Sequence, residues 1–467
     1  MFILMVVVFV LGYAAIALEH PLKIDKAASA IILGALMWVL FVVGKDAILD
    51  RTNENGQLSN QAWNEYLLHH KDADPSEAKS DFIIKEQSLE HLGDTSEVLF
   101  FLLCAMTIVA IIDKHNGFSI ITDRIKTKSK SKLLWLLSIL TFFMSAVLDN
   151  LTTTIVMVTL LNKLVADKHL RWIYAGMIVL AANAGGAWSP IGDVTTIMLW
   201  IGGQITAANI IKVAIVPSMV SMIVPLAVLS LQLKGDLERP EIKFEDKNSP
   251  ITEKIQKFAL YWGIASLIAV PILKTFLHLP PYLGMLLVLG IFWVITEIWH
   301  RRAGASHVDF TVSNILTTVD TPTILFFLGI LTAVGALQSA GHLALLSQSL
   351  ETISGGNVYG IGIIIGVLSS IVDNVPLVAG AMGMYGVTAP DSIGFLSNFV
   401  QDGVFWELLA YTAGTGGSIL IIGSAAGVAA MGLEKIDFVW YLKHISWLAL
   451  LGFFAGAGCF ALLKLLF

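Results

Sequence analysis

Two Asp-Asn pairs interrupt otherwise apolar stretches of this chain: Asp149-Asn150 within residues 133–165, and Asp373-Asn374 within residues 358–388. A third interruption reads Asn183-Ala-Gly185-Gly186-Ala-Trp-Ser189-Pro190-Ile-Gly192-Asp193-Val-Thr195-Thr196. Three glycines and a proline so close together cannot remain a regular helix, and the break frees backbone carbonyls. Carboxylates, amide oxygens, hydroxyls and freed carbonyls are hard oxygen ligands, suited to a cation such as Na⁺. The first cluster of candidate ligands is Asp149, Asn150 and Thr152 (with Thr153 and Thr154 following), joined by Asn183, Ser189, Asp193, Thr195 and Thr196. The second is Asp373 and Asn374, followed by Pro376, with Thr415-Gly416-Gly417-Ser418 through Gly423-Ser424, where Ser424 stands in the place of Asp193. Two carboxylates against one put the expected ion nearer Asp149, Asn150 and Asp193. The plainer reading is that each Asp only caps the helix after it, and that the Gly-Gly pair only allows close packing.

The surrounding sequence must hold these groups at depth in a membrane. Of 467 residues, 56% are apolar and 14% charged, far from the quarter charged of soluble globular proteins. The net charge of −6 gives no footprint for nucleic acid, and the two cysteines, Cys104 and Cys459, offer neither a disulfide framework nor a zinc cluster. A span needs about 20 mostly apolar residues. The runs 2–18, 27–44, 97–112, 172–203, 209–231, 255–274, 282–300, 322–345, 403–430 and 437–467 qualify, the first lacking the basic leader of a signal peptide. The stretches 133–165 and 358–388 are each too short to cross twice and long enough to dip in and return as re-entrant hairpins. Such backbone is tolerated only where protein or a water-filled cavity covers it.

Most Lys and Arg fall in the segments 19–26, 113–132, 163–171, 232–257, 301–302 and 435–443, which places them in the cytoplasm. The acid-rich segment 45–94 and the Lys/Arg-free segments 275–281, 339–357 and 389–402 fall on the other side. The chain also repeats itself in order. Thr95–Leu102 (TSEVLFFL) matches Thr321–Leu328 (TPTILFFL), Ser145–Asn150 matches Ser369–Asn374, and Gly185-Gly186 with Gly192 matches Gly416-Gly417 with Gly423. Each half reads as five spans plus one hairpin. An odd number of crossings inverts the second half, an arrangement typical of transporters. The expected architecture is an all-α polytopic membrane protein of two inverted-topology repeats. The first repeat covers 1–231 with its hairpin at 133–165 and interrupted span at 172–203. A cytoplasmic linker covers 232–254, and the second repeat covers 255–467 with its hairpin at 358–388 and interrupted span at 403–430.

Other ionisable residues carry weaker expectations. Glu97 and Glu407 lie near the outer ends of their spans, where they can snorkel, and Glu297 and His342 sit near span ends. His91 is expected on the solvated surface, and His69, His70, Asp72 and Asp74 lack the spacing of a metal site.

With its Asp149-Asn150-Leu-Thr152 and Asp373-Asn374-Val-Pro376 tips and its Ser189-Pro-Ile-Gly-Asp193 break, the chain resembles the NhaD-type sodium/proton antiporters of the ion transporter superfamily, over nearly its whole length. Related dicarboxylate/sodium symporters typically carry Ser-Asn-Thr at the tips; Asp at both tips here favours a cation exchanged for protons. The resemblance implies a homodimer in a bacterial cytoplasmic membrane, with the first two spans of each repeat as scaffold. It also implies hairpins and interrupted spans that move elevator fashion, and no cofactor beyond the transported Na⁺ (or Li⁺) and H⁺. It assigns importance to Asp149, Asn150, Asn183, Asp193, Thr195 and Thr196, and to Asp373, Asn374 and Ser424. Exchange would follow if one carboxyl held a proton or Na⁺ and never both, because only loaded forms cross the low-dielectric middle cheaply. Two rival readings stand beside it. A dicarboxylate or oxyanion carrier would want basic groups at the tips, and an intramembrane aspartyl protease would want a Gly-x-Gly-Asp element where Pro190-Ile-Gly-Asp193 stands.

Overall fold

The structure, a computed structural model, describes residues 1–467 except 18, 53–57, 71–74, 123–124, 126, 238–251, 304–309 and 467. Asp72, Asp74, Arg124, Lys126 and most of the linker 232–254 therefore lie outside the described residues. The described chain is helical, with isolated bridges and no strand. Eight described helices are long and apolar enough to cross a membrane, or nine if one bent pair counts as a single span. The protein is thus a multi-pass membrane protein.

Several spans differ from the expectation at their ends. The run 97–112 is the apolar end of a 39-residue helical stretch, Ser76–Lys114, because the polar turns before it continue as helix through a π-helical segment, Phe82–Gln87. The span expected at 322–345 stops at Ser339, where Gly341 takes φ +86 and starts a separate helix, His342–Ser354. The last span divides at Ile445 into Phe438–His444 and Ser446–Leu466. The first arm of hairpin 133–165 begins at Lys130 and ends at Leu148, and its 19 residues pass the length and composition test for a span on their own.

The chain clusters into two compact units, each drawing segments from both halves of the sequence. In the first (Met1–Leu99, Asp320–Asn357, Val378–Gly386), helix Lys26–Val43 packs along Thr321–Ser339. The close approach needs glycine on both sides, since a Cβ on Gly34 would stand 2.5 Å from the Gly329 carbonyl oxygen. His91 is not a solvated surface residue here. It hydrogen-bonds Ser339 Oγ at 2.9 Å and packs on Trp38, and His342 bonds the Phe2 carbonyl at 3.0 Å.

The second unit (Phe100–Val319, Val358–Leu377, Val387–Phe467) contains the broken elements. Helices Lys130–Leu148 and Asn150–Leu164 pack on each other and join at Asp149. Five residues separate the end of Val358–Leu368 from Asn374, which opens the second arm of the other hairpin. The interrupted span 172–203 is Lys168–Ala187 and Val194–Ile201, and 403–430 is Val404–Gly416 and Ala425–Glu434. Glu407 does not snorkel: at 1% exposure it pairs with Lys464 at 2.6 Å and accepts from Asn209. A carboxylate taken out of water needs such a partner. Two segments assigned to the cytoplasm by their charge meet within this unit, where Lys130 N–H donates to Gly235 O; Arg171 pairs with Glu434, and Thr206 donates to Asp402.

Candidate functional site

Each break delivers polar groups because it ends one helix and starts another. Asp149 sits between the two arms of the first hairpin at φ 80, ψ 156, and its carboxylate caps the second arm. Oδ1 accepts from Thr152 N–H at 2.8 Å and Oδ2 from the Thr152 hydroxyl at 2.7 Å, so Thr152 holds both oxygens. Asp193 caps Val194–Ile201 in the same way, with Oδ1 accepting from Thr195 N–H at 2.9 Å and from its hydroxyl at 2.7 Å. Asp373 accepts from Val375 N–H at 3.2 Å, and Ser424 Oγ from Gly427 N–H at 3.2 Å. The capping reading is therefore true of every one of these positions. It accounts for none of what else converges on Asp193.

Asp193 is 1% exposed, yet two amides from different parts of the chain reach it. Asn150 Nδ2 donates to Oδ2 at 2.7 Å, and Asn374 Nδ2 lies 3.4 Å from Oδ1. Both hairpin tips thus end on one buried carboxylate. Asn150 Nδ2 also donates to Asn183 Oδ1 at 3.0 Å, and Asn183 Nδ2 donates to Ser418 Oγ and Ser424 Oγ at 2.8 and 2.9 Å. Asn150, Asn183, Asp193, Thr195, Asn374 and Ser424 form one network, and Ser418, visible in the sequence only as part of its motif, belongs to it. Asp149 is next to Asn150 but is bonded to Thr152. Ser189 Oγ spans the break to Ala146 O at 2.5 Å, and the buried Thr196 hydroxyl has no hydrogen-bond partner. Asn150 was expected to present its oxygen; it presents its nitrogen to the oxygens of Asn183 and Asp193.

Asp149 and Asp193 have no Lys or Arg partner among the described residues, and no group of three or more His, Cys, Asp or Glu there could hold a metal. A buried carboxylate surrounded by amides and hydroxyls can accept a proton or a small cation. A resident polyvalent metal is a poor fit.

The same contacts recur at matched places in the two halves. Ser145 Oγ donates to Ala182 O at 2.6 Å, and Ser369 Oγ to Ala413 O at 2.8 Å. A Cβ on Gly185 would collide with the Phe142 carbonyl, and one on Gly416 with the Gly366 carbonyl. Gly192 faces Ser145 O as Gly423 faces Ser369 O, a Cβ standing 2.5 and 2.7 Å away. The glycines let each broken helix cross a hairpin arm at backbone contact.

A family profile described as citrate transporter matches residues 2–416. Sodium/proton antiporter 1 of Arabidopsis thaliana is 41% identical over 98% of this chain and 71% of its own length. Sodium/proton antiporter 2 of the same plant is 38% identical over 97% of both chains. The Na⁺/H⁺ antiporter NhaD of Vibrio parahaemolyticus is 31% identical over 78% of this chain and 89% of its own. The chain belongs to the citrate transporter (CitMHS) family of membrane carriers, with NhaD-type antiporters among its relatives.

Proposed function

We infer that this protein exchanges Na⁺ for H⁺ across a membrane by competition of the two ions at Asp193 and its neighbour Asp149. The observation that carries this is the convergence of Asn150 and Asn374, from both hairpin tips, on a fully buried carboxylate. An anionic cargo such as citrate or succinate would meet fixed negative charge there and no described Lys or Arg partner. The relatives, named as sodium/proton antiporters, point the same way. A carboxyl of this kind is occupied by a proton or by Na⁺, and the empty, charged form crosses the membrane interior only at high cost. The two acids would titrate as a pair. Na⁺ would draw on Asp149, Asn150 and Asp193, with Asn183, Ser189, Thr152, Thr195 and Thr196 in reach. Asp373, Asn374 and Ser424 supply the other half. No chemical step and no cofactor is needed.

The halves 1–231 and 255–467 act as inverted repeats in this reading. The matched serine and glycine contacts support it, as does the contact of Lys130 with Gly235, between two segments given the same side by their charge. The first hairpin, both broken helices and the Asp373-Asn374 tip would move as one elevator body; they share one compact unit, which also holds the spans 255–274 and 282–300. A homodimer in a bacterial cytoplasmic membrane completes the proposal, and the bacterial NhaD relatives support that location.

The test is a pH-sensitive dye sealed in acid-loaded proteoliposomes, to which Na⁺, Li⁺, K⁺, succinate and citrate are added in turn. Na⁺ is expected to discharge the pH gradient, and succinate and citrate to leave it intact. A response to either carboxylate without one to Na⁺ would refute the assignment.

A further inference from the structure

We propose that Arg171 is a positioning residue for this site, fixing from one point the far ends of two helices whose near ends meet on Asn183. The inference rests on the antiport reading of the site. Arg171 lies in the first turn of helix Lys168–Ala187, and Asn183 lies on the same helix about 18 Å further along. Arg171 Nη1 donates to the carbonyls of Val165 and Ala166 at 3.2 and 2.9 Å, where the chain leaves helix Asn150–Leu164. Its Nε pairs at 2.9 Å with Oε2 of Glu434, the last residue of helix Ala425–Glu434, and Trp172 Nε1 donates to the Glu434 carbonyl at 3.0 Å.

The other ends of those two helices are Asn150 and the cap residue Ser424, and both bond Asn183. Each helix is thus pinned at both ends to the same third helix. Carbonyls at and just past a helix C-terminus are a negative end that a cation satisfies, and guanidinium serves several acceptors at fixed angles where an ammonium cannot. Glu434 is costly where it stands. Its side chain is 2% exposed, its Oε1 has no hydrogen-bond partner among the described residues, and a carboxylate at the C-terminal end of its own helix opposes the dipole. Such a residue is poorly explained by the stability of its own helix and well explained by the contact it makes. Without the fork, either helix can slide along Lys168–Ala187. An axial slip of about 1 Å already carries Asn150 or Ser424 beyond good hydrogen-bond distance of Asn183.

The experiment compares wild type, Arg171→Lys and the double variant Arg171→Lys/Glu434→Gln in proteoliposomes, reading half-saturating Na⁺ and maximal rate separately. The double variant removes the stranded carboxylate, so it folds even if the single variant does not, while the fork stays absent. Both are expected to raise half-saturating Na⁺ at least about threefold with the maximal rate per folded protein within about twofold, the signature of a displaced binding group. A double variant with wild-type half-saturation, or one that loses only folded protein, overturns the proposal. Wild type lacking Na⁺-driven flux would instead sink the antiport reading, and this inference with it.

Discussion

Asp193→Asn is expected to give a folded, membrane-inserted protein with no measurable Na⁺/H⁺ exchange. Asn caps a helix about as well as Asp, so the bond from Thr195 N–H survives, while its amide nitrogen, turned toward Asn150 Nδ2, strands one buried donor at a cost of about 1–3 kcal/mol. The charge does not survive. Removing the charged member of a buried ionic contact costs about 3–5 kcal/mol, which is about two to nearly four powers of ten in affinity. Asn also cannot take up a proton, so both halves of the exchange are lost together. The substitution therefore separates the two readings of this residue: a cap alone predicts a working protein, an ion site predicts a silent one. Dye-loaded proteoliposomes with matched protein content decide it, and exchange above about a tenth of wild type would remove Asp193 from the mechanism.

Gly416→Ala and Gly185→Ala are expected to be among the most damaging of the single-methyl additions. At both positions the new methyl would meet a backbone carbonyl, of Gly366 or Phe142, and a backbone cannot swing aside as a side chain can. Overpacking of this kind costs about 1–3 kcal/mol, and here it also wedges a hairpin arm away from the broken helix it crosses. Gly458→Ala is the control: it lies in helix Ser446–Leu466 with nothing within 4 Å of the added methyl, so helix propensity makes it neutral or slightly stabilising. Thermal unfolding in detergent should show lower midpoints for the first two and none for the third. Equal midpoints for all three would mean that the two crossings are looser than their geometry.

What could be read from the sequence follows from which signals are local. Asp149, Asp193 and Asp373 stood out because a carboxylate in an apolar run has no cheap explanation, and Gly185, Gly186 and Gly192 marked the break because helix interiors exclude such a cluster. Ser145 and Ser369, matched in the sequence, make the same bond to the facing broken helix. Arg171–Glu434 and Glu407–Lys464 were invisible, since partners far apart in the chain leave no periodic trace. Glu407 was expected to reach water for that reason. Sequence also could not tell which atom of Asn150 faces Asp193, because an amide's orientation is set by its neighbours. Helix ends were the weakest reading: in 322–345 the stop at Ser339 is marked by Gly341, a residue that apolar helical runs also contain, so the run reads as continuous.

The φ of 80 and ψ of 156 at Asp149 fall where glycine alone is at ease, and holding another residue there costs about 1–3 kcal/mol. Asp149→Gly gives up a cap worth only a few tenths of a kcal/mol relative to glycine and relieves that strain. It should melt at or above the wild-type temperature in detergent while carrying no ions, and a lower melting point would show the backbone to be at rest. Fitness of the fold and fitness of the task therefore pull this codon in opposite directions. Any screen that rewards heat resistance alone would harvest mute carriers.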